Sequence, residues 1–348
     1  MENYQKHLVN EGSTIKDALE RFNILAKDAI LFVVNNDNQL IGSLTDGDVR
    51  RGLLRGIGID ENVMSIIQSN PKYIQKGITL FSEIVELRKN NFRVLPILDL
   101  DKKVIKVINF RTLKSYLPID AVIMAGGRGE RLRPLTDSTP KPLLKIGEKP
   151  IIEHNIDRLI SFGMDNFWIS VRYLGEQLEE FFKDGSQKEV SIKYIWETEP
   201  LGTIGAISKI DSFNHNHVLV TNSDLLTTID YERFFMEHIN NDADITIASI
   251  PYSVNIPYAV LETEGNIVKG FEEKPTYTYY SNGGIYLFKR EIIERIPKKS
   301  FFNATDLIEK IINEGGKVCT FPIREYWLDI GKMPDYEKAI KDIKTLTL

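Results

Sequence analysis

Apolar residues follow two different patterns along the chain, and the change falls near residue 118. Before it, two passages repeat one order. DAILFVVNNDNQLIGSLTDGDVRRGLLRG (28–56) and NFRVLPILDLDKKVIKVINFRTLKSYL (91–117) each open on an apolar run and pass through an Asp/Asn/Lys cluster. Each then returns to an apolar run and ends on a helix start. Apolar runs bounded by turn formers predict strands. Each passage follows a segment with helical spacing of apolar residues, ALERFNILA (18–26) and LFSEIVELRKN (80–90). A period of about 60 residues is too long for a solenoid unit. The pattern predicts two small βαββα modules, at 1–65 and 66–117, sharing one core. Pro118 ends the last helical pattern.

From Ala121 onward, strands and helices alternate. Strands are predicted at 121–124, 167–171, 190–195, 217–224, 244–250 and 281–288, and helices at 151–163 and 174–184. Such alternation predicts an α/β fold over 118–348, a mostly parallel sheet with helices on both faces. Ligands of such sheets bind beyond the carboxyl ends of the strands. Asp224 and the glycines after Met124 stand at such ends.

Composition narrows the function classes. The chain has 348 residues, 42% hydrophobic and 27% charged, with a formal net charge of −5. A packed core of two to three domains is expected. Residues 1–117 carry 17 Lys+Arg and 14 Asp+Glu, a balance of +3, which leaves −8 for the rest. The sign change supports a boundary near 117, and the net charge argues against a nucleic-acid partner. No run is long and apolar enough to span a membrane, and MENYQKHLVNEGS lacks the apolar core of a secretory signal. The single cysteine, Cys319, sits in an apolar run and reads as core, so a reducing, cytoplasmic setting is expected. The histidines show no metal-ligand spacing, and His215 and His217 read as turn residues.

The chemistry concentrates in AVIMAGGRGERLRPLTDSTPKPLLKI (121–146), a buried strand feeding a glycine loop among Arg128, Arg131, Arg133, Lys141 and Lys145. It is not a phosphate-binding GxxxxGK[ST] loop, for no Lys-Ser/Thr pair follows. It is not a dinucleotide GxGxxG either, because Leu132 replaces the third glycine. Free backbone N–H groups beside Arg and Lys suit a polyphosphate. By itself the loop could equally be an arginine-rich surface turn.

AGGRGERLRPLTDSTPKPLLKI resembles the opening motif of sugar-1-phosphate nucleotidyltransferases, GGxGxRLxPLTxxxPKPLxxI, with Glu130 departing from the common Thr. The resemblance extends over about 119–345 and implies a Rossmann-like nucleotide-diphospho-sugar transferase fold. It implies that Ala125, Gly126, Gly127, Arg128 and Gly129 hold the nucleotide, with Arg131 and Lys141 at its phosphates. EPLGTIGAI (199–207) resembles the segment near the base. Glu197, Gly202 and Thr203 are assigned there, with room for a flat ring at Gly202 and a helix start at Thr203. VTNSDLL (220–226) and WLDIGKMPDY (327–336) resemble the segments whose carboxylates, here Asp224 and Asp329, bind Mg²⁺. FEEKP (271–275) and SNGGIYLF (281–288) resemble the sugar-phosphate site, implying Glu273, Lys274, Asn282 and Gly283. Alone, a strand-end Asp is a turn former and an EEK triplet a solvated face; their order along the chain carries the argument.

The implied reaction is attack by a hexose 1-phosphate oxygen on the α-phosphorus of an NTP, releasing pyrophosphate. GTP is expected as donor and glucosamine 1-phosphate as acceptor, because the chain resembles guanylyltransferases of bacterial nonulosonate and surface-glycan routes. A mannose-1-phosphate guanylyltransferase, a uridylyltransferase and a catalytically dead nucleotide-sensing subunit are the alternatives. In the first half, GSLTDGDVRR (42–51) resembles the G-h-h-T/S-x-x-N/D motif of cystathionine-β-synthase-type (CBS) modules. This implies a regulatory nucleotide, adenosine-type first, on Thr45, Asp48 and Arg50, within a CBS pair that also forms a homodimer or higher oligomer. KVINFRTL puts Asn109 and Arg111 where Thr and Asp would stand in the second module.

Overall fold

The computed structural model describes residues 4–346, which fall into two compact units. The first comprises the residues up to Pro118 with Ile160–Asp165 and Gly185–Val190; the second comprises the remainder.

The first unit contains two three-stranded sheets of identical connectivity. Leu8–Asn10 lies parallel to Ile30–Val34, which pairs antiparallel with Leu40–Thr45. Ile74–Gln75 lies parallel to Val94–Leu98, which pairs antiparallel with Val104–Asn109. Even the register shifts correspond, at Val33/Val34 and Ile97/Leu98. The hairpins bond to each other: Leu40 N–H donates to the Lys102 carbonyl, and Val104 N–H to that of Asn38. Leu8, Phe32 and Val34 of one half bury against Val94, Leu98 and Val107 of the other. The two halves thus share one buried apolar cluster. The halves differ at their ends. Helix Asp46–Leu54 follows the first hairpin, but residues 110–118 form turns and no helix starts there. Asn109 is the reason: its Oδ1 accepts the Arg111 N–H at 2.9 Å, and its Nδ2 donates to Asp28 at 2.7 Å. A side chain that satisfies a backbone N–H two residues on offers the chain an alternative to helix.

The second unit is built on one seven-stranded sheet. Its order is Ser191–Trp196, Asn166–Val171, Ile119–Met124, His217–Asn222, Thr276–Lys289, Ile245–Asn255 and Val318–Pro322. The first four strands are mutually parallel; Thr276–Lys289 runs antiparallel to both its neighbours. The fold is therefore mixed α/β, mostly parallel. Ala121, Val122 and Ile123 are wholly buried, as a central parallel strand covered on both faces requires. Helix Ile151–Ser161 buries Ile151, Ile152, Ile156 and Leu159, an apolar stripe along one face.

Two expectations change here. The Ile245–Asn255 strand runs well past residue 250, because it pairs with Thr276–Lys289 to form a ribbon. Beyond Pro251 that ribbon leaves the core, and Tyr252, Tyr258, Phe271, Tyr279 and Tyr280 are 60–75% exposed. His217 is not in a turn but opens a strand. Its Nδ1 lies 3.2 Å from His238 Nε2, and His238 Nδ1 lies 2.7 Å from the Thr246 hydroxyl. No helix among the described residues is long and apolar enough to cross a membrane.

Candidate active site

A cleft of about 740 Å³ opens beyond the carboxyl ends of the parallel strands. The central strand enters it at Ala125, whose N–H donates to the Ser170 carbonyl. The glycine loop then turns back on itself at Gly129 (φ +64°), where a Cβ would lie 2.9 Å from Lys141 Cβ. Only glycine combines that backbone with that closeness. The Thr136 hydroxyl donates to the Gly129 carbonyl, and buried Leu132 anchors the far side. The loop is thus held at both ends with Lys141 seated against it.

Of the residues assigned from sequence, Ala125, Gly126, Gly127, Arg128, Gly129, Arg131, Lys141, Glu197, Gly202, Thr203 and Asp224 line this one cleft. Asp224 sits two residues past the Asn222 strand end. One carboxylate oxygen, Oδ2, accepts from the Lys141 ammonium; the other, Oδ1, is buried without a hydrogen-bond partner among the described residues. The Ile330 N–H donates to the Asp224 carbonyl, and Leu225 pairs with Asp329, so the chain brings the two carboxylates together. Burial, and then the charge of Asp224, pushes the Asp329 carboxyl up, with Lys141 and Arg131 partly opposing. Two adjacent carboxylates with an orphaned oxygen fit a divalent cation, which takes hard oxygen ligands.

Three assignments need correction. Gly202 (φ +77°) does not leave room for a ring on its Cβ side: a Cβ there would lie 2.6 Å from the Phe302 carbonyl, and that backbone fills the space. Thr203 does not itself start a helix; a 3₁₀ helix, Gly205–Lys209, begins two residues on, and the Thr203 hydroxyl accepts the Ala304 N–H at 2.8 Å, bracing the Ala304–Asn313 helix. Glu273 and Lys274 do not line the cleft. They lie in the exposed bend between strand Ile267–Glu272 and strand Thr276–Lys289, with Lys274 in a left-handed conformation (φ 47°). Asn282 and Gly283 sit at the ribbon's root instead, where the Gly283 carbonyl accepts the Trp327 indole N–H at 3.0 Å. Arg172 and Phe301 also line the cleft and were missed by sequence reasoning. Their segments carry no motif, and only the tertiary fold delivers them.

In the N-terminal unit, Thr45 and Asp48 form the capping box of helix Asp46–Leu54. Asp48 is 3% exposed and fully bonded. Its Oδ2 accepts from the Thr45 N–H and hydroxyl, and its Oδ1 from Arg51 and Gln68. Burial alone would raise the Asp48 carboxyl, but these bonds outweigh it and hold it below the usual range. A ribose would have to displace them. Arg50 is exposed and paired with Asp46 at 2.7 Å. The unit's own cavity, about 710 Å³, is lined by Ile41, Ser69, Tyr73, Glu83 and Lys102 rather than by Asp48. Asp48→Ala is expected to destabilise this unit by about 1–3 kcal/mol through the lost cap and stranded donors. Thermal unfolding of the full chain measures it.

An α/β sheet whose cation-lined glycine loop faces a carboxylate pair defines a nucleotidyltransferase-type fold. The chain matches the nucleotidyl transferase family model over residues 120–345 and a CBS domain model over 7–55. It belongs to the nucleotidyl transferase family and carries an N-terminal CBS domain. It is 33% identical over 229 residues to a D-glycero-α-D-manno-heptose 1-phosphate guanylyltransferase of Aneurinibacillus thermoaerophilus, covering 65% of this chain and 99% of that one. It is 30% identical over 231 residues to the mannose-1-phosphate guanylyltransferase of Mycobacterium tuberculosis, covering 65% and 64%. A Synechocystis UTP–glucose-1-phosphate uridylyltransferase is 32% identical over 243 residues, covering 64% and 63%. The chain thus spans less than two thirds of the length of the last two. Among solved structures, HddC from Yersinia pseudotuberculosis complexed with GMP-PN aligns with a TM-score of 0.50 at 27% identity, covering 65% and 99%.

Proposed function

We propose that the protein is a sugar-1-phosphate guanylyltransferase: it transfers GMP from GTP to a hexose 1-phosphate, glucosamine 1-phosphate first, and releases pyrophosphate. The observation that carries the reading is the single cleft in which the glycine loop, Arg131 and Lys141 face Asp224. The attacking sugar-phosphate oxygen is already anionic, so no general base is required. What the reaction needs is charge balance and alignment, which dominate phosphoryl-type transfer. Loop N–H groups and Arg131 hold the triphosphate, and Lys141 sits within reach of both phosphate and Asp224. Asp224 and Asp329 would hold Mg²⁺, which when bound offsets negative charge on the phosphates. The N-terminal unit would bind a regulatory nucleotide and associate with a second copy, in the cytoplasm.

The test is pyrophosphate release over four NTPs and several sugar 1-phosphates, with and without Mg²⁺. GTP with glucosamine 1-phosphate is expected to give the highest kcat/KM, at least tenfold above UTP. Comparable values for UTP would overturn the guanylyl assignment and favour the uridylyltransferase reading that one relative suggests.

A further inference from the structure

The cleft's two shielded acids, Glu197 and Asp224, are held differently. Both Glu197 oxygens are engaged by uncharged donors: the Ser170 hydroxyl donates to Oε1, and the Leu201 N–H to Oε2 at 3.2 Å. Glu197 stands against Gly126, where a Cβ would lie 2.8 Å from its Oε1 and 3.5 Å from Arg172 Cβ. Arg172 in turn donates its Nε–H to the Gly126 carbonyl at 3.3 Å. Asp224 instead has a cation on Oδ2, the Lys141 ammonium, and a buried Oδ1 that no described residue bonds. The Lys141 side chain is 11% exposed and that of Asp224 22%, so water screens this pair poorly. The glycine loop fixes the lysine stem, since a Cβ at Gly129 would lie 2.9 Å from Lys141 Cβ and 3.5 Å from its Cδ. Arg131 is seated beside the other carboxylate. A Cβ at Gly331, two residues past Asp329, would lie 3.3 Å from an Arg131 terminal nitrogen. Formally, Asp224 and Asp329 (−2) are balanced by Lys141 and Arg131 (+2), which gives zero.

This arrangement makes Lys141 and a divalent cation rivals. Such a cation takes carboxylate oxygens, and the ammonium already holds one of the two on Asp224. A metal ion entering by itself would also stand among an excess of positive charge. A triphosphate changes both conditions. It offers the ammonium another anion, which uncovers Oδ2, and it brings negative charge that a metal can bridge.

We propose that Lys141 is a built-in competitor of the divalent cation at Asp224. It yields the carboxylate as a triphosphate draws its ammonium away, so that metal and nucleotide enter together. The proposal rests on the assignment of Asp224 and Asp329 to Mg²⁺ above. A lysine that only binds phosphate, or only packs against Gly129, makes a different prediction: its loss weakens nucleotide binding or the fold and leaves metal binding alone. The experiment titrates Mn²⁺ into the full chain without nucleotide, counting free Mn²⁺ by electron paramagnetic resonance. The proteins are wild type, Lys141→Met and the double variant Lys141→Met/Asp224→Asn. One neighbouring charge alters a carboxylate's proton affinity by about ten- to a thousandfold, and the metal competes for the same oxygen. Lys141→Met is therefore expected to bind Mn²⁺ at least about tenfold more tightly than wild type, and the double variant to lose that gain. Equal or weaker binding by Lys141→Met, or no binding by either protein, would overturn the proposal. So would a gain that survives Asp224→Asn. The metal assignment itself is tested separately, by the turnover of Asp224→Ala. If Lys141→Met loses its cooperative melt, Lys141→Gln takes its place. It keeps an N–H donor toward Asp224 without the charge, and the same gain in Mn²⁺ affinity is expected.

Discussion

Asp224→Ala is expected to lower turnover at least about a hundredfold, the size of effect seen on removing one preorganised electrostatic group from an active site. The variant should still fold. The contacts that set the local backbone, Ile330 N–H to the residue 224 carbonyl and the Leu225–Asp329 pairing, do not involve the side chain. What disappears is a carboxylate that both balances Lys141 and, among the described residues, leaves a buried acceptor open. Asp329 then loses the like charge that helps push its carboxyl up. It cannot replace its neighbour, because one carboxylate has to serve where two did. Pyrophosphate release measures the loss, and circular dichroism with thermal melting measures the fold. Turnover within a few-fold of wild type would remove Asp224 from the metal and phosphate chemistry altogether.

The second large effect is on stability in acid. Burial, then the charges of Lys289 and His215, pushes the His217 imidazole down to about 4. Burial, then His217 and Lys289, pushes His238 down to about 3, with Asp244 and Asp242 opposing. In the unfolded chain both titrate near 6.5. Between those values the unfolded state binds protons that the folded state refuses, so stability is full above about pH 6.5 and falls as pH drops. At pH 5 each imidazole should cost about 2 kcal/mol, from the shift of about 1.4 kcal/mol per pH unit. The geometry leaves little relief, since His217 Nδ1 lies 3.2 Å from His238 Nε2 and Lys289 is close by. Urea unfolding from pH 7.5 to 5 is the measurement. His238→Gln should start less stable, through its lost or altered bond to Thr246, but show a clearly shallower acid slope. An unchanged slope would mean that other groups set the acid sensitivity.

The site was legible in the sequence to the extent that it is local. The glycine loop, Arg131 and Lys141 lie within 17 residues of one another, and the constraint on Gly129 acts on a neighbour in the same stretch. Asp224 and Asp329 are over a hundred residues apart, but each sits in a string specific enough to name. Glu273 and Lys274 were equally well marked, yet the strings could not say that they would fall in a bend at the outer end of a ribbon, away from the cleft. That depends on the register between Ile245–Asn255 and Thr276–Lys289, a long-range pairing.

The sequence by itself determined the two-part organisation, the repeat in the first part and the alternating elements of the second, because these follow from the local spacing of apolar residues. It also determined which loop bears the cations. It did not show that Asn109 would replace a helix with a turn, or that His217 would be buried against His238. Nor did it show that Gly202 makes way for the Phe302 backbone, or that Arg172 and Glu197 would stand on either side of Gly126. Only the tertiary structure decided those. Each depends on which distant segment packs against a given residue, and spacing along a chain carries no record of that.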